Sequence, residues 1–128
     1  MSTIKTETLS TPSNSTVPVD TVVNGTAKAW VNFNGTGTVA IRRSFNVSSI
    51  TDNGTGDYTV NFATAMPDAN YSFTMGYVPD GIYPSAAYAR QFQTQTVSAS
   101  SIRVRSLYQD VSGGGVLDYP YLSVAIFS

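Results

Sequence analysis

The sequence contains no histidine and no cysteine, and only 12% of its 128 residues are charged. Without histidine there is no imidazole to act as a general base near neutral pH, to activate a serine, or to ligate a metal in the commonest way. Without cysteine there are no disulfides and no thiolate metal sites. The charged share is about half of the ~25% usual for soluble domains, so solubility rests on the abundant Ser, Thr, Asn and Gly. A formal net charge of −1 excludes the dense Lys and Arg clusters with which nucleic-acid binders displace counterions. Arg42-Arg43 and the Arg103/Arg105 pair are too few for that. No apolar run approaches the ~20 residues that span a bilayer, and the start lacks the basic and apolar pattern of a secretion signal. The expectation is a soluble protein made in the cytoplasm, with no membrane insertion and no nucleic-acid partner.

What is present is strand-forming sequence. In Asp57-Tyr58-Thr59-Val60-Asn61-Phe62, Tyr58, Val60 and Phe62 fall on one face and Thr59 and Asn61 on the other, because successive strand side chains alternate. The glycines of Thr51-Asp52-Asn53-Gly54-Thr55-Gly56 allow positive φ and turn the chain back onto Val47–Ile50. Comparable runs cover Ala27–Phe33, Thr38–Phe45, Tyr71–Tyr77, Ala86–Phe92, Ser101–Tyr108 and Tyr121–Phe127. The predicted fold is therefore all-β: an antiparallel β-sandwich or jelly-roll-like domain of about eight short strands over residues 27–128. No helix longer than a turn is expected. Asn-Gly-Thr-Gly occurs twice, at 34–37 and 53–56, and reads as two similar hairpin turns.

Residues 1–26 scatter a few apolar side chains among Ser, Thr, Asn and two prolines, and read as an extended N-terminal arm. Ile4, Leu9, Val17 and Val19 are its candidates for attachment to a larger particle. Several strands carry bulk on both faces. Trp30 opposes Ala29 and Val31, and Tyr121 and Phe127 oppose Leu122, Val124 and Ile126. A doubly apolar strand needs two covering layers, so Trp30, Leu122, Val124 and Ile126 are candidates for a subunit interface.

Candidate chemistry is sparse. Asp52, Asp57, Asp68, Asp80, Asp110 and Asp118 mostly sit beside Gly, Pro or Asn, where a turn explains the side chain. No convincing acid pair for glycoside cleavage emerges, and no cofactor, metal site or catalytic residue is expected. Asp52 to Asp57 superficially resembles a calcium loop but lacks the distal glutamate. Tyrosines crowd the C-terminal half, around 78–84 and 110–118. Tyrosine offers a stiff apolar plate with a polar tip, and Asp80, Tyr83, Asp110 and Asp118 are the candidate receptor-binding residues on loop tips.

The run KAWVNFNGTGTVAIR, followed by FNVSSITDNGTGDYTVNF and AMPDANYSF, resembles a domain recurrent in tail-fibre-type proteins of bacteriophages, especially those of marine bacteria. It covers residues 27–75. The opening STIKTETL followed by a Ser/Thr/Asn-rich linker is similar to the segment that often precedes this domain. The resemblance implies a homotrimeric, non-catalytic protein of the virion surface, in tail or capsid, that adheres to a host receptor such as a surface glycan or protein. The alternative is a capsid decoration (cement) or head-fibre protein docked on the shell through its arm.

Overall fold

The structure, a computed structural model, describes residues 2–79, 89–110 and 112–128. Residues 8–25 are more structured than an extended arm. β1 (Thr8–Ser10) and β2 (Thr16–Pro18) form a small antiparallel hairpin, and α1 (Val19–Gly25) follows it directly. This corrects the expectation of no helix beyond a turn. The sequence VDTVVNG has poor intrinsic helix propensity, and no side chain caps its N-terminus. Pro18 fixes φ at −58° ahead of the first turn, which contains Asp20, and an acidic group there suits the helix dipole. At the other end Thr26 Oγ1 donates to the Val22 carbonyl and Lys28 Nζ to that of Val23. No residue of β1, β2 or α1 is buried.

Nine further strands follow. They are β3 (Ala29–Asn34), β4 (Ala40–Phe45), β5 (Val47–Gly54), β6 (Asp57–Phe62), β7 (Ser72–Val78), β8 (Ala89–Ser98), β9 (Ser101–Asp110), β10 (Gly113–Val116) and β11 (Tyr121–Phe127). All pairings are antiparallel, so the domain is all-β, with eleven strands among the described residues, nine of them after residue 27 where about eight are expected. One sheet has the order β4-β3-β11-β7. The other has five strands: β5, β6 and β9 in order, β8 along one edge of β9, and on its other edge β6 and then β10. β6 pairs with residues 101–105 of β9 and β10 with residues 107–110.

The buried faces of both sheets feed one hydrophobic cluster. β3 contributes Ala29, Val31 and Phe33, β11 contributes Leu122, Val124 and Ile126, and β6 and β9 contribute Tyr58, Val60, Ile102 and Val104. Each large aliphatic or aromatic side chain removed from water here stabilises the fold by about 1.5–3 kcal/mol. Phe33 meets Tyr58 edge-on at 5.3 Å, which ties the two sheets together through an aromatic pair.

A single residue carries the chain from one sheet to the other. Asn46 stands between β4 and β5 with φ 53°, a left-handed conformation that asparagine tolerates better than most residues. Its Nδ2 donates to the carbonyls of Lys28 and Thr64, and its Oδ1 accepts from the Thr64 backbone N–H. The two Asn-Gly-Thr-Gly copies are indeed hairpin connections, β3 to β4 and β5 to β6. Their internal bonds differ. Asn34 Oδ1 accepts from the Thr36 N–H in the first, while Asp52 Oδ1 accepts from the Gly54 N–H in the second.

Candidate interaction faces

Each sheet has a second face turned away from the core, and the two are chemically unlike. On the four-stranded sheet, strand alternation aims Trp30 outward, and it is 39% exposed. The antiparallel register sets Phe45, 56% exposed, directly across from it on β4, and Ala125 on β11. Exposed Tyr121 and Val78 pair at the far end of the same face. A bulge at Asn32/Phe33 leaves Arg42 as the extra residue of β4, and its guanidinium lies 4.0 Å over the Tyr121 ring, a cation–π contact. Asn32, between Trp30 and Asn34 on this face, has a shielded Oδ1 with no donor among the described residues.

The outer face of the five-stranded sheet is built mainly from hydroxyls and amides, with Leu107 and exposed Val116 paired at its β10 end. Ser49, Thr51 and Asn53 of β5 stand beside Asn61, Thr59 and Asp57 of β6. Asn61 Nδ2 donates to Ser49 Oγ and Thr51 Oγ1, and Asn53 Nδ2 donates to Thr59 Oγ1 at 2.9 Å. β9 adds Ser101, Arg103 and Arg105, and β8 adds Ser98, Thr96 and Gln93. At the centre Asp57, only 5% exposed, accepts from Arg103 Nε and Nη2 at 2.8 Å each and from Arg105 Nε at 2.9 Å. The Arg103 fork, against the cost of burial and with the help of Arg105, brings the Asp57 carboxyl down to about 2.

The residues singled out from the sequence fall in different places. Trp30 lies on an exposed apolar face. Leu122, Val124 and Ile126 do not, being 0%, 2% and 1% exposed in this chain's own core. Their assignment to a subunit interface is corrected: of the two bulky faces of β11, the leucine side faces inward. Asp118 is not a tip residue. Its Oδ1 accepts from the Gly56 N–H at 2.7 Å and from the Tyr58 hydroxyl at 2.5 Å. Burial first, and then the Asp118 carboxylate, push the Tyr58 phenol well above its ordinary range. Asp110 ends β9, and its Oδ1 accepts from the Ser112 N–H across the turn into β10. Asp80 and Tyr83 lie outside the described residues. In the arm, Ile4 is 91% exposed, Leu9 and Val17 are exposed, and Val19 is half-buried.

The tyrosines divide similarly. Tyr119 is buried, donates to the Leu107 carbonyl at 2.8 Å and stacks on Tyr77 at 5.2 Å. Among the described tyrosines, Tyr121 alone joins the apolar outer face. The sequence alone does not show the Asp57 ion triplet, because Asp57 follows a turn directly and its partners lie 46 and 48 positions away. The signal that finds it is the pair of arginines two residues apart on a strand, which must share a face. A scan against protein-family models, a search of curated proteins and a search of solved structures each return no match to this chain.

Proposed function

We propose that this chain is a non-catalytic structural protein of a bacteriophage virion, a tail-fibre-like β-sandwich that assembles as a homotrimer and takes part in host adhesion. The observation that carries the reading is the contrast between the outer faces. Trp30 and Phe45 present an aromatic pair on one side, while the other side is mainly hydroxyls, amides and an ion triplet, with no exposed aromatic pair among its described residues. Burying an exposed aromatic face against further copies gains transfer free energy, and a neighbour's donor would satisfy Asn32 Oδ1, which otherwise costs about 1–3 kcal/mol. The polar side is then left facing outward. Several weak sites displayed on one particle multiply through effective concentration. The resemblance of residues 27–75 supplies the virion context.

Light scattering of the purified chain and of the Trp30→Ser/Phe45→Ser double variant, together with competition by the purified chain against phage attachment to host cells, tests the reading. A trimer that the double variant reduces to monomer, and that blocks attachment, supports it. A wild-type monomer that blocks nothing refutes it. A second reading, a capsid decoration protein, draws on the exposed Ile4, Leu9, Val17, Val22 and Val23 of the arm, which suit a shell as partner. It predicts that arm substitutions release the protein from particles while host attachment is unchanged.

A further inference from the structure

We propose that the outer face of the five-stranded sheet, centred on Arg103 and Arg105, binds an acidic polysaccharide. This rests on the adhesion part of the proposed function and assigns it a ligand class and a surface. The two arginines stand two residues apart on β9 and are held from below by one buried carboxylate. Asp57 receives three N–H bonds from them and a weaker contact from Asn53 Nδ2 at 3.4 Å. The carboxylate is fully engaged, so two guanidinium charges against one leave the site a surplus of positive charge. Among the described residues, Arg103 Nη1 and both Arg105 Nη atoms donate to nothing in the chain. A guanidinium fixed along one edge presents the other edge preorganised for a carboxylate or sulfate, which lowers the ordering cost of binding.

The surroundings decide what kind of anion this is. Thr59 and Thr96 flank Arg103, and Asp57 and Gln93 flank Arg105, on neighbouring strands spaced about 4.8 Å apart. These groups suit a hydroxyl-rich ligand that carries an acid group. The centre of the face has no aromatic ring on which a base could stack, and a single surplus charge is far too little for a phosphate backbone. Protein interfaces, in turn, need an apolar centre; on this face the apolar pair Leu107 and Val116 lies beyond Arg105 at the β10 end, and the larger apolar surface is on the opposite sheet.

The test is equilibrium binding of the intact chain to polygalacturonate, dextran sulfate, uncharged dextran and single-stranded DNA. We expect binding to one or both acidic glycans and none to dextran or DNA, with the two acidic arms distinguishing carboxylate from sulfate. Arg105→Gln, which leaves the Arg103 fork on Asp57 intact, should weaken binding about tenfold, the loss of one strong charge-assisted contact. Asp57→Asn should also weaken it, although it makes the face more positive, because the arginines lose their anchor. No binding to either acidic glycan, DNA bound as tightly, an unaltered Arg105→Gln, or a tighter Asp57→Asn would each overturn the proposal. A chain that blocks host attachment yet ignores acidic glycans overturns this inference alone. One that does neither removes the adhesion reading as well.

Discussion

Tyr58 and Asp118, sixty positions apart, meet in a single hydrogen bond: the fully buried phenol donates to Oδ1 at 2.5 Å, with the Gly35 carbonyl 3.0 Å away. The bond ties β6 to the segment that leads into β11. Tyr58→Phe should cost about 1.5–3 kcal/mol, the worth of a hydrogen bond to a charged group, and Asp118→Ala a similar amount because the Gly56 N–H also loses its acceptor. Asp118→Asn should recover most of that. Because the phenol is raised above its unfolded value of 10.0, its contribution is complete below that pH and is lost as pH rises beyond it. Alkaline thermal melts should therefore fall less steeply for Tyr58→Phe than for wild type.

Acid stability should turn on Asp57. Its folded value of about 2 lies below the unfolded 3.8, so the carboxylate contributes about 2 kcal/mol at neutral pH by linkage. That contribution is complete above pH 3.8 and disappears as pH falls through about 2. Denaturant titrations across this window should show a drop in wild type that Asp57→Asn lacks. Equal acid limbs in the two proteins would exclude Asp57 as the cause.

Gly56 and Gly37 share a left-handed backbone, φ 62° and 61°, but differ in their surroundings. A Cβ on Gly37 meets nothing, whereas one on Gly56 comes within 2.6 Å of the Ser106 carbonyl and 2.8 Å of the Leu117 nitrogen. Gly37→Ala should cost about 1–2 kcal/mol from backbone strain alone. Gly56→Ala should exceed it by about 1–3 kcal/mol from overpacking, since both neighbours are backbone and cannot step aside. Urea midpoints of the two variants give the comparison directly.

Leu122→Ala and Trp30→Ala should separate stability from assembly. The first empties a fully buried site and should cost about 2–5 kcal/mol. The second removes an exposed ring and should leave the monomer's denaturant midpoint nearly unchanged while altering mass in solution. If Trp30→Ala unfolds the chain, the ring serves its own sheet and not a neighbour.

Much of the sheet structure was legible because alternation is a local signal. β6 and β11 stand where Tyr58–Phe62 and Tyr121–Phe127 placed them, and β3 overlaps its expected run and ends one residue beyond it, at Asn34. β8 was caught only at its start, since its glutamines and threonines carry little apolar contrast and a shift between Thr94 and Thr96 breaks the phase. Alternation also showed that β11 has two bulky faces without saying which one faces the core. That choice depends on what the rest of the chain packs against it. Asp57 and Asp118 look like turn residues in sequence because their partners lie far along the chain, and only the fold brings them together.

A nascent chain emerges with β3 long before its partner β11 is translated, since Ala29–Ile126 is the far end of their shared ladder. The backbone ladders of β5, β6, β8 and β9 run among themselves without β11, although their buried side chains pack against it. During synthesis Val31 and Phe33 therefore wait uncovered while the other sheet closes, a delay characteristic of long-range strand pairing. Trp30 and Phe45 become a flat, rigid surface only when Tyr121–Phe127 slots in beside them. Any association through that surface is thereby timed: on a polysome, neighbouring chains cannot dock through it until each has finished its own fold.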